Sequence, residues 1–426
     1  MIGSPPPALH GLPPLLRDEP ALTAALGSTS ARLAITEVSR PISIAALSHL
    51  SERAPLIVAC PTGTDAARLH DDLVQFLRRD DCLLFPAWET LPFERVSPAV
   101  ETMGRRMEVL WRLTAASERP KIIIAGIRAL LQRLGPGART TQPIHIVAGG
   151  QVDADELTQQ LVNCGYRREE LVEHRGEFAR RGAIIDIFPS TADSPIRIDL
   201  WGDDVDRLTQ FSVNDQRSTD DLREALIFPA REITPDDDVR ARAARLVATE
   251  SWGREHWERL AEGAHFDGME SWLPWLTDED LLLTDLADDR AKVVLVEPRR
   301  MRDRAHDLLA EEADLAKALA GTWARDPDLQ FPHLHAEPDR LLASSGSFWT
   351  IDATPESPET PFVESTGWGP IVGDGAGHVS RIRELLSDGE RVIIAADGTG
   401  SAERLRALML DHELEFTIAD SGADLT

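Results

Sequence analysis

The chain has 426 residues, 42% of them hydrophobic, with 28 glycines, an ordinary globular balance that excludes wholesale disorder and leaves room for about two to four domains. Its 72 carboxylates face only 45 basic residues, and the resulting charge of −27 opposes general adhesion to DNA or to an anionic membrane, although a local basic patch remains possible. Cys60, Cys82 and Cys164 lie far apart without a C-x-x-C pair, which argues against a disulfide framework or a zinc site. No apolar run reaches the length of a membrane span, and Met1–Pro20 lacks the features of a signal peptide, so the expected location is the cytoplasm.

From Ala31 to about Gln142 short apolar runs alternate with helical stretches. Leu56–Ala59 and Lys121–Ala125 are continuous apolar runs, the pattern of parallel strands buried on both faces. Asp65–Leu77 and Thr102–Leu113 carry apolar residues at helical spacing, so this region reads as α/β. The pattern changes at about Ile144. Asp153 with Glu156 opens a helix, Leu157, Leu161 and Cys164 form its apolar face, and Gly165 is placed to end it. Ala183–Phe188, Ile196–Trp201 and Val205–Val213 then follow at short spacing, predicting an antiparallel meander beside one helix. After Pro235 come helices with Trp252, Trp257, Trp272 and Trp275, and then a buried-strand run, Val293–Val296. The small α+β module therefore reads as an insertion in an α/β domain. Thr354–Gly377 has the composition of a linker. Arg381–Leu386, the strand Val392–Ala395 and a helix from Ser401 make a last α/β unit that ends at Thr426.

The strand Leu56–Ala59 runs through Cys60-Pro61-Thr62-Gly63-Thr64-Asp65-Ala66 into a helix, the setting of a phosphate-binding loop. Such a loop needs a lysine for the phosphates and a hydroxyl for magnesium. Asp65 and Ala66 stand there instead, so Gly63, Thr64, Asp65 and Ala66 read as a degenerate, non-functional version. The loop Asp397–Ser401 has the same setting and again no lysine. Glu297 ends its strand as a magnesium-binding acid would, but Pro298 follows it. His333-Leu334-His335 with Glu337, flanked by prolines, reads as a surface loop rather than a metal site, and the acidic runs at 203–206 and 236–238 as solvated turns. Neither cofactor, metal nor catalytic residue is expected.

The densest polar constellation, 165–182, holds Arg167, Arg168, Arg175, Arg180 and Arg181 with Glu169, Glu170, Glu173 and Glu177. Beside it, alternation puts Ile196, Ile198 and Leu200 on one strand face and Arg197, Asp199 and Trp201 on the other; Asp186 and Phe188 fall on the polar face of the preceding strand. Arginines with paired carboxylates and an exposed aromatic suit a protein interface, whereas the bland alternative is a set of weak surface ion pairs.

The strings Phe85-Pro86-Ala87-Trp88-Glu89-Thr90-Leu91-Pro92-Phe93-Glu94, Ser97-Pro98, the run from Gly176-Glu177-Phe178-Ala179-Arg180-Arg181-Gly182 to Pro189, and Phe211–Ser218 closely resemble the N-terminal part of the bacterial transcription-repair coupling factors, the Mfd family. The resemblance extends over essentially the whole chain. It implies a module built like the excinuclease protein UvrB: a degenerate helicase-like (RecA-like) parallel-sheet domain, 1–143 and 231–350, split by an inserted α+β domain, 144–230, that recruits the excinuclease protein UvrA. A linker, 351–375, and a small α/β domain, 376–426, would follow. The family's DNA translocase motor and RNA polymerase contact lie further C-terminal, so this chain would lack both. The related UvrB also grips DNA with a tyrosine-rich hairpin, whereas Tyr166 is the only tyrosine here, so weak DNA binding at most is expected. Residue by residue, the resemblance puts the UvrA contact on Arg168, Arg181, Arg197 and Asp199; the surface argument adds Arg167 and Phe188. The rival reading is a nucleotide-driven DNA translocase fragment using the loop at Gly63 or Gly398.

Overall fold

A computed structural model describes residues 9–115, 119–323, 331–345, 347–366, 375–396 and 398–419. The first part of the chain alternates helices and strands: α1 (Pro20–Leu26), β1 (Ala31–Ile35), α2 (Arg40–Leu50), β2 (Leu56–Cys60), α3 (Gly63–Leu73), β3 (Cys82–Phe85), α4 (Val100–Thr114), β4 (Ile122–Gly126) and α5 (Ile127–Leu131). Every residue of β2 and β4 is buried, as their continuous apolar runs predict.

A second sheet system follows, made of β5 (Ile144–Val147), α6 (Ala154–Asn163), β6 (Arg167–Arg168), β7 (Glu177–Arg181), β8 (Ile184–Ile187), β9 (Ile196–Trp201), β10 (Asp204–Phe211), β11 (Ser218–Asp221) and β12 (Glu224–Ile227). The α/β pattern then resumes with α7 (Asp237–Thr249), α8 (Arg254–Ala261), α9 (Leu273–Leu276), β13 (Lys292–Val296), α10 (Pro298–Leu319), α11 (Pro338–Ser345), β14 (Phe348–Asp352) and β15 (Phe362–Val363); α12 (Gly375–Ser387) and α13 (Thr399–Asp411) come last.

The body is one parallel sheet in the order β15-β1-β14-β13-β2-β4-β3. Successive residues of its central strands feed opposite cores, because side chains alternate across a sheet. Leu56, Val58, Ile122 and Ile124 pack with α1, α2 and α3, while Ile57, Ala59, Ile123 and Ala125 pack with α4, α5 and α10. The tryptophan-rich stretch forms a third core, in which Trp257 and Trp272 meet edge to face at 4.4 Å and Trp252 stacks on Trp272 at 5.7 Å.

The insert holds a six-stranded sheet, β11-β10-β9-β8-β7-β6, antiparallel except for the β6–β7 pair, and a two-stranded β12-β5 ribbon. Its helix α6 starts and stops as expected: the Asp153 carboxylate accepts from the Asp155 and Glu156 amides, and Gly165 takes the left-handed φ of +84° just beyond the end. Tyr166 seats the module. Its hydroxyl donates to the Phe228 carbonyl at 2.8 Å and accepts from the Ser190 amide at 3.0 Å. Against this corner lies Gly104 of α4, where a Cβ would stand 2.3 Å from Ser190 Oγ. At the exit, Arg106 grips Glu232 through Nε (2.8 Å) and Nη2 (3.0 Å), Trp88 Nε1 donates to the same carboxylate, and Arg231 pairs with buried Glu270 at 3.1 Å.

Several expectations need correction. The three-strand meander is a six-strand sheet. Val392–Ala395 is irregular rather than a strand, and Ile393 and Ile394 are exposed. Within the expected linker, Phe362–Val363 pairs with β1 as an edge strand; residues 367–374 of that linker and Asp397 lie outside the described residues. His335 does not sit in a surface loop. It is buried and bonded through Nδ1 to buried Glu312 on α10 at 2.6 Å, and that carboxylate also accepts from the Leu334 amide. Asp236 caps α7 by accepting from the Val239 amide, so its acidic run opens a helix.

Candidate interaction surface

Strand register builds the outer face of the insert's sheet in rows. Ile185, Ile187, Ile196, Ile198, Leu200, Val205 and Leu208 turn inward to the core beneath α6, so the alternate residues form the other face. Near the loops at 169–176 and 212–217, Phe188 and Phe211 are covered by Val172 and Val213. The next row is Ala179, Asp186, Arg197 and Thr209, joined side by side across β7–β10. Beyond it lie Arg181, Ile184, Asp199 and Arg207, and at the hairpin tip stands Trp201, 81% exposed. The face thus passes from covered to open along the strands.

The second row is an ion-pair clamp. Arg197 holds Asp186 with two parallel bonds, Nε to Oδ1 at 2.7 Å and Nη2 to Oδ2 at 2.9 Å, and its Nη1 donates to the Gln216 carbonyl at 3.0 Å. The Asp186 side chain is 1% exposed and that of Arg197 15%. Bonding to Asp186 raises the Arg197 pKa further above its ordinary value, and the guanidinium also lies 4.8 Å from the Phe211 ring centre. Arg181 bonds to Asp186 as well, but its side chain is 48% exposed. Because Asp186 is already satisfied by Arg197, Arg181 is free to turn to another carboxylate without orphaning a buried charge.

The expected contact residues therefore separate. Arg181, Asp199 and the added Arg167 are open to solvent on the outer face, whereas Arg197 is a largely covered clamp in the adjoining row of the same face. Phe188 is corrected: at 8% exposure, under Val172 and with Arg175 5.5 Å from its ring, it is not an exposed aromatic. Trp201 is the aromatic on the open face, and the alternation of Ile196, Ile198 and Leu200 already placed it there. Arg168 departs only in its side of the sheet: register puts it beside Phe178, on the side of the core, while Arg167 stands beside Glu177 on the outer side. Both Arg167 and Arg168 are exposed on the edge strand β6.

Glu177 organises the neighbouring loop. Its buried carboxylate accepts from the Glu173 amide (3.0 Å) and the His174 amide (2.9 Å) and meets Arg167 Nη2 at 3.3 Å. Glu177 and Asp186 were legible as polar residues but not as the anchors of two arginine clamps, because their partners arrive from other strands and loops.

The degenerate phosphate loop has a different character. Only Pro61 and Thr62 separate β2 from α3, and Gly126 packs so closely that a Cβ on it would lie 2.7 Å from the Gly63 amide nitrogen. Thr62 caps α3 by accepting from the Asp65 amide and donates to the Asp65 carboxylate, which also pairs with Arg300 at 3.3 Å. Glu297, at φ +54°, is held by Arg40 at 2.7 Å. Thus Asp65 and Glu297 are each paired with an arginine from another element of the chain. Burial pushes the Cys60 thiol up to about 12, so it supplies no thiolate nucleophile at neutral pH. Among the described residues no cluster of three His, Cys, Asp or Glu side chains is arranged to hold a metal, and no helix is long and apolar enough to cross a membrane.

A family model described as the UvrB interaction domain matches residues 144–233. The transcription-repair-coupling factor of Mycobacterium bovis is 35% identical over 336 residues, covering 71% of this chain and 27% of that protein. Those of Haemophilus influenzae (32% identical, 59% of this chain, 22% of that protein) and Escherichia coli (29%, 71%, 25%) align similarly. The chain spans about a quarter of the length of these relatives. With its parallel-sheet body interrupted by a UvrB interaction domain, the chain belongs to the transcription-repair-coupling factor family.

Proposed function

We propose that the open outer face of the insert binds UvrA and that the chain acts as a recruitment module in transcription-coupled nucleotide excision repair, in the cytoplasm and without catalysis of its own. The observation that carries this reading is the open row Arg181, Asp199 and Arg207 beside Trp201, set on a rigid sheet by the Arg197–Asp186 clamp. Arginine and tryptophan dominate interface energetics, and signs that alternate across a face fix register with a partner. In this reading Arg181, Asp199 and Trp201 touch the partner, Arg167 and Arg168 line its edge, and Arg197 and Phe188 support it from the adjoining covered rows. DNA translocation and the RNA polymerase contact belong to the family's further regions. Binding of DNA by this chain is at most weak and salt-sensitive, given its charge of −27.

The paired acids at Asp65 and Glu297 disfavour the translocase reading, because a polyphosphate would have to displace these carboxylates from the arginines they already engage. The deciding experiment titrates purified UvrA with the chain and with Arg181→Ala and Trp201→Ala, alongside melting curves. Lost affinity with an unchanged melt is expected; unchanged affinity in both variants would move the interface elsewhere.

A further inference from the structure

Gln216 lies in the turn between β10 and β11 and adopts a left-handed φ of +59°, a conformation that disfavours most side chains. Its amide spans two segments, donating to the Val213 carbonyl at 3.0 Å within its own turn and to the Val172 carbonyl at 3.3 Å in the loop before β7. Its backbone carbonyl accepts from Arg197 Nη1 at 3.0 Å. The Val172–Glu173 peptide group is consequently held from both sides: its C=O by Gln216, and its N–H by the carboxylate of Glu177, which also meets Arg167. One side of this connection runs through Arg197 and Asp186 to Arg181, and the other through Glu177 to Arg167.

We infer that Gln216 is a positioning residue of the proposed UvrA-binding face, tying the Arg181 branch to the Arg167 branch so that both arginines meet a partner in one fixed spacing. This rests on the reading of that face as the UvrA site. Gln216 is half-buried behind the open row and reaches the partner only through the arginines. Pre-organisation of this kind strengthens binding by lowering the cost of ordering the face, without adding a contact.

The test separates positioning from stability. Gln216→Gly removes the amide but relieves the left-handed backbone, so the melting temperature of the full chain should hold or rise. Affinity for UvrA should nevertheless fall about tenfold, or ~1.4 kcal/mol. In the Arg181→Ala background the same substitution should cost clearly less, because the arginine it positions is gone. In the free chain, hydrogen exchange at the Glu173 amide should accelerate in Gln216→Gly, a readout that needs no partner.

Wild-type affinity in Gln216→Gly, full additivity with Arg181→Ala, or unchanged Glu173 exchange would overturn the inference while leaving the UvrA reading intact. A wild-type chain that fails to bind UvrA would instead remove that reading, and with it the positioning role of Gln216. If Gln216→Gly melts lower, Gln216→Asn decides by the same criterion, since asparagine tolerates the left-handed region but is too short to span both carbonyls. Weakened binding at the wild-type melt supports the inference, and any other result for that variant overturns it.

Discussion

The parallel-sheet body and the inserted sheet both carry charged side chains where their strands meet the surface, yet they use them in opposite ways. In the body, Asp65 and Glu297 are each held by an arginine from another element, and the charges are consumed internally. In the insert, Asp186 is satisfied by Arg197 with Arg181 to spare, so the clamp holds a charged row that faces solvent. A site whose charged groups are turned inward is a scaffold; a face whose ordered charged groups remain open to solvent is equipped to recognise something. One arginine per acid closes the pair in the body, whereas the second arginine on Asp186 stays at the surface, and the register between strands decides which.

The strongest way to break this comparison is to remove the clamp. Arg197→Ala leaves Asp186 buried with only a half-exposed partner, and Arg197→Glu sets a second carboxylate against it. We expect a loss of about 3–5 kcal/mol of stability for Arg197→Ala and more for Arg197→Glu, read by chemical denaturation. A melt equal to wild type would show the clamp to be dispensable. By contrast Arg181→Ala, which leaves Asp186 satisfied by Arg197, should leave folding nearly intact while costing about 2 kcal/mol or more of UvrA affinity in a titration, roughly 30-fold. Equal loss of folding in both variants would erase the distinction between clamp and contact.

A smaller effect concerns pH. Burial holds the His335 pKa below the ordinary histidine value, although Glu312 pulls it the other way. The unfolded chain therefore takes up this proton first, so stability should fall as the pH drops below about 6.5, by at most ~1.4 kcal/mol per unit from this group. His335→Gln should flatten that part of the stability profile. An unaltered slope would assign it to other groups, such as His265, whose pKa is lowered in the same direction. The smallest expected signal is none at all: a calorimetric titration with Mg-ATP should give no saturable heat, in the wild type or in Arg300→Ala. Saturable binding in either would make the loop at Gly63 a working site after all.

What the sequence made legible followed from local pattern. The runs Leu56–Ala59 and Lys121–Ala125 were readable as buried parallel strands because they are almost wholly apolar. The alternation of Ile196, Ile198 and Leu200 assigned the faces of β9 and placed Trp201 outward. The strands missed were short or polar: Ser218–Asp221 is fully exposed and has nothing in its composition to mark it. Burial imposed from a distance was also illegible. Phe188 is covered by loops that arrive from either side in the chain, and His335 is drawn inside by Glu312, 23 residues earlier. The face assignment of Arg168 depended on its pairing with β7, which two residues of edge strand do not announce.

The corner where Tyr166, Ser190 and Phe228 meet Gly104 has a mechanical meaning. Helix α4 and the insert are there in direct steric contact, and the chain re-enters the body through the buried pairs of Glu232 with Arg106 and of Arg231 with Glu270. The two parts meet at this seam through packed side chains and buried ion pairs. A tug on anything bound to the outer face would be delivered to the body as torque rather than absorbed as slack, so the insert works as a bracket bolted to the frame.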